Sequence, residues 1–255
     1  MNDPVLFVPP VINVIVTGLF AGVILRQYIT RRRIYQLYWS IALSMAFLAT
    51  LAYIGMIAVQ PTSGAGVLLF RLYYILGGAL MPAWLGLGSI ALVSSPRVTR
   101  ISASVLSVLS VLAAVLILLA EINMTKLSQI AGTPGTNTIQ PGAWLAMTII
   151  LNTLGVIAVV GIALYSGWQL MHRQASMGGM RTSNVLWANI FILVGAILNA
   201  TAGTLARFLG VQNTFWLIMA IGWIVLFVGV LLANRRTSPT KASEAPKEVA
   251  QLIKR

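Results

Sequence analysis

The residues of this sequence that could do chemistry are a few polar side chains placed inside long apolar runs. Arg71 lies in the run GVLLFRLYYILGGALMPAWLGLGSIALV (residues 66–93), and Asn152, Asn199 and Arg207 lie in two later runs. A charged side chain deep in a bilayer costs about 2.5–3.5 kcal/mol on insertion scales, so such an arginine normally has a partner or extends to the membrane surface. The chemistry that these groups offer is recognition through charge and hydrogen bonds.

Arg71 has three interpretations. It can form an ion pair with Glu121, because consecutive antiparallel helices are usually neighbours and both residues fall toward the same side of the membrane. It can extend to the membrane surface alone. In the third interpretation Arg71, with Tyr74 or its neighbour Tyr73 and with Arg207, binds an anionic group that enters from outside.

Asn152 and Asn199 each lie near the middle of an apolar run. Asparagines at such depth commonly form hydrogen bonds between closely packed helices, at about 0.6 kcal/mol each. The alternative is that the two amides line a ligand cavity. The sequence leaves both interpretations open.

The supply of catalytic groups is small. The chain has four carboxylates, one histidine and no cysteine. Thiol chemistry, disulfides and cysteine-based metal sites are therefore excluded, and the residues for a histidine–carboxylate metal cluster are lacking. We predict no enzyme activity, no metal and no cofactor, although a non-covalent lipid or pigment would leave no trace in the sequence.

The elements that position these residues are membrane helices. Of the 255 residues, 58% are hydrophobic and only 8% are charged, whereas soluble domains average about 25% charged residues. A helix of about 20 apolar residues crosses a bilayer. We predict an all-α integral membrane protein with a seven-helix domain over residues 1–233, whose helices cover residues 6–28, 37–59, 66–93, 101–120, 143–170, 185–209 and 214–233.

The basic residues predict how the helices are oriented. Fourteen of the 17 Lys and Arg residues fall in alternate connections and in the tail, and three fall on the other side. The positive-inside rule then places the N-terminus outside and the C-terminus in the cytoplasm, in a bacterial inner membrane. The net charge of +13 follows these segments, so we expect no nucleic-acid partner. Residues 234–255 are predicted to be a basic, disordered tail.

A possible internal repeat begins at two arginines. The sequence RIYQLYWS starts at Arg33 and RTSNVLWA starts at Arg181, each with an amide three positions later and a tryptophan six positions later. A true repeat would relate helices 1–3 to helices 5–7 as parallel copies, with helix 4 as connector. The alternative is that arginines and interfacial aromatic residues recur before any helix that starts in the cytoplasm.

This predicted topology resembles two families, the microbial rhodopsins and the PQ-loop sugar transporters. The rhodopsin resemblance implies a retinal bound to a lysine of the seventh helix, but TFWLIMAIGWIVLFVGVLLA contains no lysine, so no covalent retinal is expected. The PQ-loop resemblance implies Pro-Gln within a helix, whereas this chain has the reverse order, at Gln60-Pro61 and Gln140-Pro141. The pattern also resembles bacterial seven-helix proteins and the membrane-embedded sensor regions of signalling proteins.

The sequence therefore favours a non-enzymatic membrane protein. It predicts either a sensor that binds a small molecule or lipid, or an accessory subunit of a membrane complex. A facilitator of a neutral or anionic solute and a rhodopsin-like bundle without the retinal lysine are the alternatives. The expected partners are the lipid bilayer, other membrane subunits or a second copy of the chain.

Overall fold

The structure is a computed structural model that describes residues 7–177, 183–212 and 214–234, with the side chains of 170–177, 183–186 and 233–234 left out. Predictions that concern the His172 side chain, Arg181 and the tail from residue 235 therefore lie outside the described residues. The helices are α1 (Val8–Arg31), α2 (Ile34–Ala58), α3 (Gly64–Tyr73), a π-helical segment (Tyr74–Leu80), α4 (Met81–Val93), α5 (Pro96–Leu119), α6 (Met124–Ser128), α7 (Ala143–Met177), α8 (Ser183–Phe208) and α9 (Phe215–Asn234).

The helices form a multi-pass membrane protein. Within the described residues, seven helices are long and apolar enough to cross a membrane, the third of them being the continuous run Gly64–Val93. We call the end of the bundle that carries residues 120–142 the loop face, and the end that carries residues 32–33 and 94–100 the basic face. The positive-inside rule predicts that the loop face is outside.

Six of the spans form a ring in the order α1, α2, α3–α4, α7, α8, α9, and α9 packs against α1 to close it. A hydrogen bond of 3.0 Å from the Asn13 side chain to the carbonyl of Trp216 joins α1 to α9 at the loop face. Helix α5 packs outside this ring against the third span and α7. The ring thus leaves the fourth span in a peripheral place, and whether the two triplets of helices are repeats stays a prediction.

The third span departs from the single continuous α-helix that its composition suggests. Its central residues, Tyr74–Leu80, form a π-helix, and the N–H of Met81 donates to the carbonyl of Leu76, five residues back. Pro82 follows and has no N–H, so the carbonyl of Gly78 loses the donor that an α-helix would supply. Wide turns of this kind are rare and are frequently found at functional sites.

The segment 120–142 forms a cap on the loop face. A single antiparallel bridge joins Ile122 to Ile139, and Leu127, Ile130 and Ile139 are almost completely buried. Two tyrosine hydroxyls of the bundle donate to this segment, Tyr53 to the carbonyl of Ile130 at 3.2 Å and Tyr73 to that of Pro134 at 3.3 Å. Although the segment is polar in composition, it forms an ordered cap. Three buried apolar side chains and two tyrosine hydroxyls hold it against the bundle.

Candidate functional site

A cavity of about 410 Å³ opens in the loop-face half of the ring, between the third span, α7, α8 and α9. Its lining is mainly apolar. Ile149 and Ile157 of α7 and Phe208 of α8 line it and are 40%, 61% and 66% exposed. Exposed apolar side chains on a membrane span face acyl chains, so the cavity opens sideways, between α7 and α8, toward the bilayer.

Arg207 supplies the positive charge of the cavity. Its guanidinium donates a short hydrogen bond to the hydroxyl of Tyr74 and lies 5.5 Å from the centre of the Trp144 ring. Tyr74 belongs to the π-helical segment, Trp144 to the first turn of α7 and Arg207 to the last turn of α8. Three elements thus hold this cation at the loop-face end, where contact with an aromatic ring stabilises a partly desolvated charge.

Three hydrogen-bonding atoms on the cavity wall lack partners. They are Thr148 Oγ1, Asn152 Oδ1 and Asn199 Oδ1, each buried and without a hydrogen bond to any described residue. A buried polar group without a partner costs roughly 1–3 kcal/mol. All three oxygens can accept a hydrogen bond, so the wall is suited to a molecule that presents a hydroxyl or N–H group.

The Asn152 side chain is fixed by the π-helical segment. Its amide nitrogen donates to the carbonyl of Gly78 at 2.8 Å, the carbonyl that Pro82 leaves without a helical donor. This bond orients Asn152 with its oxygen unpaired. Close approach of α7 to α4 makes the bond possible, since a Cβ atom at Gly155 would collide with the backbone of Pro82.

Asn199 is positioned by a glycine of the neighbouring helix. A Cβ atom at Gly222 of α9 would collide with the Asn199 amide oxygen. Gly195 lets the same two helices approach, because its added Cβ would lie 2.6 Å from the nitrogen of Leu226. The tight contact of α8 with α9 therefore fixes Asn199 in place and leaves its oxygen without a donor among the described residues.

The cap covers the loop-face end of the cavity. Pro134 and Thr136 are part of the lining, and the Thr136 hydroxyl donates to the carbonyl of Ala206 in α8 at 3.3 Å. Ordered chain thus covers this end of the cavity. The sideways opening reaches Phe208, the last residue of α8, and therefore extends to the loop-face end of the span.

Arg71 and Glu121 lie outside this cavity. Arg71 donates to three carbonyls at the end of α5, those of Ile117 at 2.6 Å, Leu118 and Ala120 at 3.0 Å. Carbonyls in the last turn of a helix have no partner within it, and a cation there also offsets the helix dipole. The ion pair with Glu121 is therefore not formed within the described residues, because the helix end satisfies the arginine and Glu121 is exposed.

The structure thus brings together five of the seven residues that the sequence singled out: Tyr73, Tyr74, Asn152, Asn199 and Arg207. Sequence reasoning did not assign Thr148, Trp144 or Thr136 to a site. Trp223 is 2% exposed and is also part of the lining. Within the described residues no group of His, Cys, Asp or Glu side chains could hold a metal ion.

Comparisons of this chain with protein-family models, with curated proteins and with solved structures found no match.

Proposed function

We propose that this multi-pass membrane protein is a non-enzymatic binding protein that holds a small amphipathic molecule in the cavity between α7 and α8. One observation carries the proposal. An apolar cavity is lined by three acceptor oxygens that have no partner among the described residues, and by an arginine that contacts an aromatic ring. Its volume of about 410 Å³ lies within the range of about 300–1,000 Å³ typical of small-molecule sites.

The spacing of the polar groups indicates what such a molecule looks like. Asn199 and Arg207 are eight residues apart on α8, which corresponds to about 12 Å along the helix axis. The ligand would place a negative or strongly accepting group at Arg207, an apolar chain along the wall, and a hydroxyl or N–H group near the two asparagines. A hydroxylated fatty acid has this form, and an ordinary fatty acid shares its carboxylate and apolar chain but not its hydroxyl.

The role that follows is that of a sensor or an accessory subunit. The chain has no cysteine, one histidine and four carboxylates, which favours recognition over bond-breaking chemistry. A bacterial inner membrane with the loop face outside is part of the same proposal, and rests on the placement of the basic residues.

A blocking variant tests the proposal. A Cβ atom at Gly203, which lines the cavity, has no neighbour within 4 Å, and the same holds for Gly22 on α1. Gly203→Phe would fill the cavity, and Gly22→Phe is the matched control. The measurement is the immobilised fraction of a spin-labelled fatty acid added to the purified protein, seen by electron paramagnetic resonance.

We expect an immobilised component in the parent protein and in Gly22→Phe, and its loss in Gly203→Phe. Equal immobilisation by both variants would mean that the fatty acid binds elsewhere and would remove the proposal. Mass spectrometry of lipids that co-purify with the parent and are absent from Gly203→Phe would then identify the natural occupant.

A further inference from the structure

A second, smaller cavity continues the first toward the basic face. It has a volume of about 70 Å³ and is lined by residues from α1, α2, α4, α7, α8 and α9, which are the helices of the ring. We call the larger space the loop-face cavity and the smaller one the basic-face chamber. Both are lined by Leu85, Val159 and Leu226, so these three side chains form a septum between them.

The two spaces together extend over most of a bilayer. Along α7 the lining begins at Thr148 in the loop-face cavity and ends at Ser166 in the basic-face chamber. The 18 residues between these positions correspond to about 27 Å, compared with a hydrocarbon core of about 30 Å. On α8 the lining runs from Phe208 to Asn189, a similar distance.

The septum has no hydrogen-bonding side chain, whereas the walls on either side, although mainly apolar, have several. Leu85, Val159 and Leu226 are apolar, and the last two are 7% and 4% exposed. On one side lie the unpaired amide oxygens described above. On the other side Asn189 donates to Ser166 at 3.3 Å, and Trp39 has an indole nitrogen without a described partner.

A binding site alone does not require polar groups beyond the septum. The basic-face chamber is lined by Ser89, Ser166, Asn189 and Trp39 in the half of the ring nearer the basic face. Polar side chains inside a membrane bundle are costly, and they commonly mark the path of a solute. An apolar constriction between two spaces that both carry hydrogen-bonding side chains is an arrangement that gates by excluding water.

We propose that the loop-face cavity and the basic-face chamber are two halves of one transmembrane pathway for a small neutral or anionic solute, closed in this structure by the Leu85–Val159–Leu226 septum. Arg207 at its loop-face end disfavours cations. The proposal goes beyond ligand binding: it requires passage, whereas the binding proposal requires only the loop-face cavity.

Cysteine labelling tests the pathway, because the chain has no cysteine of its own. Ser89 lies in the basic-face chamber and is 4% exposed, so Ser89→Cys places a single thiol beyond the septum. Thr153→Cys places one in the loop-face cavity. The probes are a membrane-impermeant methanethiosulfonate with a sulfonate group and its trimethylammonium analogue, applied to one face at a time in sealed vesicles.

Widening the septum is the decisive step. Leu226→Ala is combined with Ser89→Cys, and Leu217→Ala, a leucine of the same helix that is 53% exposed, is the matched control. Val159→Ala is a milder second septum variant. We expect Thr153→Cys to react from the loop face, and Ser89→Cys to react from that face about tenfold faster with Leu226→Ala or Val159→Ala than alone. The sulfonate should react faster than the cation.

Three results would overturn the proposal. The first is an equal rate for Ser89→Cys with Leu226→Ala, Val159→Ala and Leu217→Ala, because the septum would then not be the barrier. The second is fast labelling of Ser89→Cys from the loop face without any septum variant. The third is no labelling of Thr153→Cys from the loop face, which would leave the cavity without a mouth for solutes. None of these results bears on the binding of a fatty acid, so the two proposals fail separately.

Discussion

Two arginines near the loop face illustrate how the same side chain serves different ends. Arg71 is surrounded by carbonyls at the end of α5 and donates to three of them. Arg207 has a tyrosine hydroxyl and an aromatic ring as its neighbours and lines the cavity. Arg71 therefore stabilises the fold, whereas Arg207 lies where it can bind a ligand in the cavity. Intramembrane charge therefore indicates a site only when its neighbours leave it hydrogen-bonding capacity.

The largest expected effect is on binding at Arg207. Arg207→Gln should weaken retention of a spin-labelled fatty acid roughly 10- to 100-fold, since hydrogen bonds to charged groups contribute about 1.5–3 kcal/mol. Arg71→Gln is the matched control and should leave retention unchanged. The methyl ester of the same fatty acid should not distinguish the two variants. If Arg71→Gln weakened fatty-acid retention more than Arg207→Gln, Arg71 and not Arg207 would be the arginine that binds the ligand.

The next effect is on stability at Arg71. Arg71→Leu leaves the carbonyls at the end of α5 without their donor, and should cost roughly 1–3 kcal/mol of unfolding free energy. Thermal unfolding in detergent would measure this, with Arg71→Lys as a variant that keeps the charge and restores part of the loss. Unchanged stability together with lost fatty-acid binding would instead assign Arg71 to the site.

A smaller effect is expected at Thr148, whose hydroxyl has no described partner. Thr148→Val should raise the stability of the empty protein by up to about 1 kcal/mol, because it removes a buried unpaired group. Thr50 is buried to a similar degree, and its hydroxyl donates to the carbonyl of Ala46 at 2.9 Å. Thr50→Val should therefore give no such gain. Matching melting temperatures for the two variants would contradict the unpaired state of Thr148.

The smallest effect is expected at Glu121. Glu121→Gln should change stability by less than about 0.5 kcal/mol, because the side chain is exposed and Arg71 is satisfied elsewhere. Combining it with Arg71→Leu measures any coupling between the two residues. We expect the two changes in unfolding free energy to be additive. A coupling energy above about 0.5 kcal/mol would indicate that the ion pair forms.

The spans and their depth could be predicted from sequence, because hydropathy and length alone decide whether a helix crosses a bilayer. The sequence did not predict which polar groups come together in the folded bundle. Asn152 and Arg207 lie on different helices, and their convergence depends on the ring order and on close crossings at Gly155 and Gly222. The sequence left three interpretations of Arg71 open, because it does not reveal that the end of α5 lies beside this arginine.

Two other features left weak signals in the sequence. Gly77 and Gly78 followed by Pro82 marked a place where the regular ladder would be interrupted, and the structure has its π-helical segment there. The isoleucines and the leucine of residues 120–142 were the sign that this polar connection packs against the bundle. Short apolar residues within a Gly- and Pro-rich segment are easily overlooked, because their burial depends on partners distant in sequence.

The wide turn of the third span also bears on how chain length can vary. A π turn is generally one residue longer than the α-helical path that it replaces. Because the shorter path joins the same two ends, deleting one residue between Tyr74 and Leu80 would restore regular helix with little rotation of the parts on either side. Deleting a second residue would rotate the part before it by about 100° relative to α4 and turn Tyr74 away from Arg207. The first deletion would therefore spare both the membrane span and the support of its cation, whereas the second would spare only the span.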